Sequence, residues 1–411
     1  MNQLKKILAL LLAFTLVLAS CGKATDKEGS SVEGSEKVSE QVEESSEEAS
    51  EEASTVNEKA NNEPKPLGEL DDHSLYLITD LGTIDDKSFN QAAFQGMKQY
   101  ADEVGIKANY LRPSDKADQV YLETIRQAVD AGAKIIVTPG FLFQNSVGLA
   151  QSEFPDVRFI CVDFIPVVPK EKGSEETIAQ VNKNTVAILF REEQSGYLAG
   201  YAAVKDGYRN IGFMGGVAVP AVINFGFGYL AGANEAAKEL NETVKVKYNY
   251  TGLFVESPEI NTQAAAWYKK GTEVIFSCGG GIASSVLKAA QDNGGKMIGV
   301  DVDQKDMGEE VITSAMKNMQ KAVYEQIEAM KNDTFVGGET LVLDIKDEAV
   351  QISDDFSRFN NFTEAEYKEL YKKLTDNKDG LLEAIPRYNE GDDVDPTNIE
   401  GFTNLEIEYI D

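Results

Sequence analysis

The run Asp80-Leu81-Gly82-Thr83-Ile84-Asp85-Asp86-Lys87-Ser88-Phe89-Asn90-Gln91 places three carboxylates, two side-chain amides and an aromatic ring within twelve residues. Two kinds of chemistry are open to such a set. The Asp80, Asp85 and Asp86 carboxylates could act as metal ligands or bases in an enzyme, or carboxylate, amide and ring could bind a small ligand by hydrogen bonds and stacking. The ordinary role of Asp85 and Asp86 is to cap the helix that follows, and that role is favoured. Phe89 begins an apolar stripe, so by composition alone it belongs to a core. Elsewhere, Gly279-Gly280-Gly281 lacks the spacing of either nucleotide fingerprint, which favours a tight turn touching a ligand oxygen. Cys161 and Cys278 lie in or at the end of apolar runs and read as buried, inert thiols. Asp392, Asp393 and Asp395 lack the glycine and terminal glutamate of a calcium loop. Nothing near His73 or Trp267 makes either catalytic.

The composition narrows the choice. With one histidine and three cysteines among 411 residues, a His-based triad, a common zinc site and a disulfide framework lack raw material. The 69 acidic side chains against 39 basic ones give a net charge of −30. That balance repels phosphate backbones, so no nucleic-acid polymer is expected as a partner. No cofactor, metal or catalytic residue is expected.

The elements that must position these residues begin after a leader. Lys5 and Lys6 precede an apolar run at residues 7–19, which is too short to cross a bilayer core of ~30 Å and reads as a signal peptide over 1–20. Residues 21–72 read as an acidic, disordered tether, because residues 24–66 hold 13 acids against four lysines and almost no apolar side chains. Beyond it, short branched runs alternate with helix-length amphipathic stretches. Strands are expected at 74–80, 134–140, 158–164, 210–216, 245–252, 273–280 and 296–301. Helices are expected at 86–103, 115–131, 142–152, 191–205, 222–239, 258–271 and 282–293.

Strands alternating with helices imply parallel sheets built from βαβ units, and seven repeats exceed one comfortable sheet. Two α/β lobes are therefore expected. The first crossing between them is placed near 183–190, VITSAMKNM (311–319) reads as a return, and LVLDI (341–345) as the crossing back. Lobe I then comprises 73–183 and 302–333, and lobe II comprises 184–301 and 334–411. The stretch after Asn389 is left open between packing on lobe II and hanging free. Ligands of open α/β sheets bind outside the carboxyl ends of the strands, so the residues just after each run matter most.

Several of those segments carry a resemblance. DLGTIDDKSFNQAAFQG (80–96), FREEQSGYLAGYAA (190–203), NFGFGYLAGANEA (224–236) and IGVDVDQ (298–304) resemble the basic membrane lipoprotein, PnrA-like family of purine-nucleoside receptors of bacterial ABC importers. Leu18-Ala19-Ser20-Cys21 resembles a lipobox, which would make Cys21 the lipid-modified first residue of the mature chain and a membrane anchor. The resemblance implies a type I periplasmic-binding-protein fold with two Rossmann-like lobes and a three-segment hinge. It implies Phe89 and Phe254 as rings clamping a base from opposite lobes, Asp80 and Asn90 as their polar neighbours, and Phe225 as another pocket aromatic. Gly280, Asp301 and Lys317 match ribose-side positions, and Asp163 is a further ligand-binding candidate. The partners implied are a purine nucleoside and ABC permease subunits at the extracytoplasmic face of the cell membrane.

The chemistry of these residue types agrees. A nucleoside offers two π-faces and a ribose diol, stacking is worth ~1–3 kcal/mol per base, and one carboxylate such as Asp301 can accept from both hydroxyls. Lys317 would donate to the ribose or balance Asp301, with an ordinary surface lysine as the alternative. Two rivals remain at this point: a sugar or other small-ligand receptor, and a nucleoside-processing enzyme using the Asp80, Asp85 and Asp86 carboxylates.

Overall fold

The computed structural model describes residues 63–410. The expected leader, the Cys21 modification and the tether up to residue 62 lie outside the described residues. The end of the expected tether, residues 65–72, is held against the body rather than free. Lys65 pairs with Asp156 at 2.7 Å, the Lys65 carbonyl accepts from Arg158, the Gly68 carbonyl accepts from Lys331, and Leu67 and Leu70 pack on the core. Composition alone places those eight residues in the tether, whereas these contacts and the packing of the two leucines hold them on the body.

The first sheet contains β1 (Leu75–Ile78), β2 (Ala108–Leu111), β3 (Ile135–Pro139), β4 (Arg158–Val162), β7 (Thr185–Phe190) and β13 (Glu339–Leu343). Its spatial order is β13-β7-β4-β3-β1-β2, with every pairing parallel. Between β4 and β7 a small antiparallel hairpin, β5 (Val167–Pro169) and β6 (Thr177–Ala179), occupies the long polar connection. The second sheet contains β8 (Asn210–Gly215), β9 (Val244–Tyr250), β10 (Val274–Cys278), β11 (Lys296–Asp301), β12 (Val311–Lys317), β14 (Val350–Ile352) and β15 (Leu405–Tyr409). Its order is β14-β12-β11-β10-β8-β9-β15, and only β14 runs antiparallel to its neighbour.

Helices cover both sheets, as parallel βαβ units require. On the first sheet lie α1 (Phe89–Val104), α2 (Asp118–Asp130) and α3 (Gln144–Glu153). In α1 the expected stripe is present: Ala93, Met97 and Tyr100 are buried, and Gly105 ends the helix at φ 77°. On the second lie α4 (Glu192–Asp206), α5 (Pro220–Leu240), α6 (Pro258–Lys269) and α7 (Ile282–Asn293). Glycines let α4 and α5 approach closely: a Cβ on Gly228 would sit 2.0 Å from the Glu193 carbonyl oxygen. After β12 the chain returns to the first lobe as α8 (Met319–Lys331), which packs on α1 through Tyr324 to Glu103 and Gln320 to Gln99. Helix α9 (Glu364–Asp376) and the short α10 (Leu381–Ala384) follow β14.

The chain therefore crosses between lobes after Phe190, after Lys317 and after Leu343. Each crossing comes one strand later than the sequence led us to place it. The strand at 185–190 belongs to the first lobe, that at 311–317 to the second, and that at 339–343 to the first. The reason is physical: β7 and β12 are buried along almost their whole length. Burial on both faces gives the same apolar run in either sheet, so the pattern marks a strand without naming its neighbours. The open choice at the C-terminus also resolves. Leu405–Tyr409 adds a seventh strand parallel to β9, helped by a Lys247–Glu408 pair and the Ile410 N–H donating to the Tyr248 carbonyl. Among the described residues no helix is long and apolar enough to cross a membrane.

Candidate functional site

The carboxyl ends of strands from both sheets converge on one cleft. Just past β1, the Asp80 carboxylate accepts from the Gly82 N–H at 2.8 Å and from Asn90 Nδ2 at 2.9 Å, while the Asp80 N–H donates to Asn90 Oδ1. Two glycines leave room for this corner. A Cβ on Gly82 would lie 2.5 Å from Asn90 Nδ2, and Gly140, at φ 112°, would place one 3.1 Å from Asp80 Oδ2. Asp86 accepts from the backbone N–H groups of Ser88, Asn90 and Gln91, so it does cap α1, while Asp85 is exposed. Burial pushes Asp80 up to about 6, against the pull of its two hydrogen bonds, and pushes Asp86 up as well.

Opposite this corner lies a buried charge cluster. Lys317, the last residue of β12 and only 4% exposed, pairs with Asp163 across the cleft. Its Nζ also lies 3.7 Å from Glu192 and 3.7 Å from Asp301. Asp163 follows β4 and Asp301 ends β11, and both sit in the left-handed region at φ 65° and 68°. Aspartate tolerates that conformation better than most residues, and it is uncommon outside glycine. Ser88, from the first lobe, donates to Asp301 Oδ2 at 2.6 Å, and Gln304 donates to the Lys87 carbonyl at 2.9 Å. These contacts hold the two lobes together at the cleft floor.

Three rings surround the Lys317 ammonium, with centroids at 4.8 Å for Phe89, 5.4 Å for Phe225 and 5.7 Å for Phe190. Burial lowers the affinity of Lys317 for its proton, but three neighbouring carboxylates outweigh it and hold the lysine charged. Asp163 is pushed up to about 7 by burial, with Lys317 opposing and Glu192 reinforcing the shift. Burial likewise raises Glu192 and Asp301. A single ammonium cannot neutralise three carboxylates in a site of low dielectric, so the cluster favours taking up protons.

Between corner and cluster is a tight cavity of about 60 Å³. Asp80, Phe89, Asn90, Asp163, Phe225, Phe254, Gly280, Asp301 and Lys317 all line it. Phe254 reaches it from the loop after β9, its ring lying on Gly216, where a Cβ would meet it at 2.5 Å. The Phe254 carbonyl accepts from the Gly281 N–H at 2.9 Å, which ties that loop to the glycine turn. The lining suits a small organic molecule: apolar rings with a few convergent polar groups.

Residues 74–383 match the profile of the family described as ABC transporter substrate-binding protein PnrA-like. The chain belongs to this family. It is 28% identical over 329 residues to the ABC transporter nucleoside-binding protein BmpA of Lactococcus lactis, covering 74% of this chain and 87% of that protein. It is 30% identical over 279 residues to basic membrane protein A of Borreliella burgdorferi, covering 67% and 77%. Among solved structures it resembles an ABC transporter solute-binding protein from Aeropyrum pernix, with a TM-score of 0.64 and 21% identity over 74% of this chain and 92% of that one. The fold is the type I fold of periplasmic substrate-binding proteins, two parallel-sheet lobes crossed three times by the chain. Family and fold are those of substrate-binding proteins, not of enzymes.

Sequence reasoning passed over several parts of this substrate-binding protein's cleft. Phe190 and Glu192 stand at the end of β7 and the start of α4, where the strand-end rule points, yet the sequence pattern marks 183–190 as the crossing between lobes and 191–205 as an ordinary helix. Ser88 was hidden behind the capping reading of its neighbours. Cys278 lines the cavity, and burial pushes its thiol well up, so it remains an unreactive wall. Cys161 is likewise free and buried. Among the described residues, no three His, Cys, Asp or Glu side chains are placed to hold a metal ion.

The upward shifts give a sign for pH. Unfolded aspartates titrate near 3.9, whereas Asp80 and Asp163 hold protons to about 6 and about 7. Between those values the folded state binds more protons than the unfolded one, so their contribution to stability is present at low pH and is lost as pH rises through the folded values. The ligand-free protein is therefore expected to melt at a higher temperature near pH 5 than near pH 7.5, and Asp163→Asn should flatten the slope. Differential scanning calorimetry across that interval checks this, and a melting temperature that rises with pH would refute it.

Proposed function

We propose that this substrate-binding protein carries purine nucleosides to an ABC permease from a lipid anchor at Cys21, on the extracytoplasmic face of the membrane. One observation carries the reading: Phe89 from the first lobe and Phe254 from the second line the same cavity. Two rings on opposite lobes can enclose a flat heterocycle when the lobes meet. In this reading the Asp80 and Asn90 corner hydrogen-bonds the base edge. Gly280, Asp301 and Lys317 meet the ribose, with Asp163 holding Lys317 in place and Phe225 closing the wall. Four buried carboxylates in or beside the cavity, with half-buried Asp86, disfavour a phosphate, so a nucleoside is preferred to a nucleotide. The name of the Lactococcus lactis relative, a nucleoside-binding protein, points the same way.

Isothermal titration with adenosine, guanosine, inosine and cytidine tests the cargo. Binding of the purines with cytidine weaker is expected, and failure of all four would overturn the reading. The anchor has its own test. Cys21→Ser should shift the protein from the membrane to the soluble fraction, and a variant that stays membrane-bound would remove Cys21 as the attachment point.

A further inference from the structure

Beside the proposed nucleoside cavity lies a second one, of about 280 Å³. The two share Phe141, Asp163 and Ala221, so they meet across those residues. Asp163 Oδ1, in that shared wall, is buried without a hydrogen-bond partner. The first-lobe side of the chamber is apolar, with Phe164, Ile165, Val167 and Leu189, whereas the second-lobe side carries Arg387 and Glu390.

Arg387 is the unusual feature. It is half-buried, yet its guanidinium makes no hydrogen bond or ion pair with any described residue, and it influences Glu192 and Glu193 only through its charge. Its backbone is fixed, because the Tyr388 N–H donates to Asn224 Oδ1 at 3.0 Å and Asn224 Nδ2 donates to Glu192. A positioned guanidinium with five unused donors is a carboxylate or phosphate receptor in waiting. The charges around it choose between these. Glu390, Asp163 and Glu192 also line the chamber, so a phosphate dianion is repelled, while a carboxylate that carries its own ammonium is balanced.

We infer that this chamber holds an arm on the 5′ carbon of the ligand, apolar at its root and ending in an amino-acid zwitterion. The inference rests on the nucleoside reading of the first cavity, in which the ribose lies at Lys317 and Asp163, next to the shared wall. The root of the arm crosses the apolar side, its carboxylate meets Arg387 and its ammonium meets Glu390. A nucleoside 5′-thioether of an amino acid has this shape and charge.

Titration calorimetry of the full protein with adenosine, 5′-deoxy-5′-methylthioadenosine and S-adenosylhomocysteine tests the inference. All three are expected to bind. Arg387→Gln should weaken S-adenosylhomocysteine by about tenfold or more and leave the other two within about twofold, since only the first offers a carboxylate. Adenosine binding without S-adenosylhomocysteine binding would overturn the inference and spare the nucleoside reading. So would an Arg387→Gln variant that binds S-adenosylhomocysteine as tightly as the parent, or that weakens all three equally. Failure of all three ligands would overturn both.

Discussion

Lys317→Met is expected to destabilise the protein by about 3–5 kcal/mol, the usual cost of removing one partner from a buried ion pair. Methionine keeps the length of the stem, so the loss is electrostatic rather than a cavity. What remains is Asp163, Glu192 and Asp301 facing one another with no cation, and Asp163 in the other lobe loses the partner that draws the cleft shut. Nucleoside binding should weaken by at least about tenfold, because closure and the ribose contact fail together. Urea denaturation at pH 7.5 measures the first effect, and a midpoint shift worth less than about 1 kcal/mol would contradict it. The double variant Lys317→Met with Asp163→Asn should recover part of the loss, since it removes a charge that had been left unpaired.

Phe89→Ala and Phe254→Ala form the second pair. Each removes one face of the proposed sandwich, worth ~1–3 kcal/mol by base stacking, so affinity for a purine nucleoside should fall by about one to two orders of magnitude in each. The two losses should differ in size. The Phe89 ring also faces the Lys317 ammonium at 4.8 Å, a cation–π contact that has no counterpart at Phe254 among the described residues, so the loss at position 89 is expected to be the larger. Calorimetric titration alongside melting curves separates binding from folding. Unchanged affinity in both variants would remove the sandwich.

Much of the fold could be read from the chain because each buried strand leaves a short branched run and each surface helix leaves a period near 3.6. All seven expected strands and all seven expected helices have counterparts in the structure. Five strands escaped notice for local reasons. Ala108–Leu111 and Leu405–Tyr409 are half-exposed edges, and Val167–Pro169, Thr177–Ala179 and Val350–Ile352 are only three residues long, so their patterns are weak. The site residues were legible in another way. Asp80, Asp163, Gly280, Asp301 and Lys317 all stand at or just past strand ends, where the geometry of parallel sheets directs attention, and the family resemblance chose among them.

What the sequence determined by itself is the kind of each element, the parallel βαβ character of the sheets and the acidic, cysteine-poor chemistry that rules out whole classes of site. Those properties are local or additive, and a window of a dozen residues carries them. The tertiary structure decided which sheet each buried strand joins and how the charged side chains meet. Lys317 and Asp163 are 154 residues apart, and their pairing depends on two strands of different lobes ending face to face. The left-handed turns at Asp163 and Asp301 and the unpartnered guanidinium of Arg387 are equally absent from any local pattern. Such contacts come from the closing of two separately patterned halves, and pairwise geometry of that kind has no period along the chain.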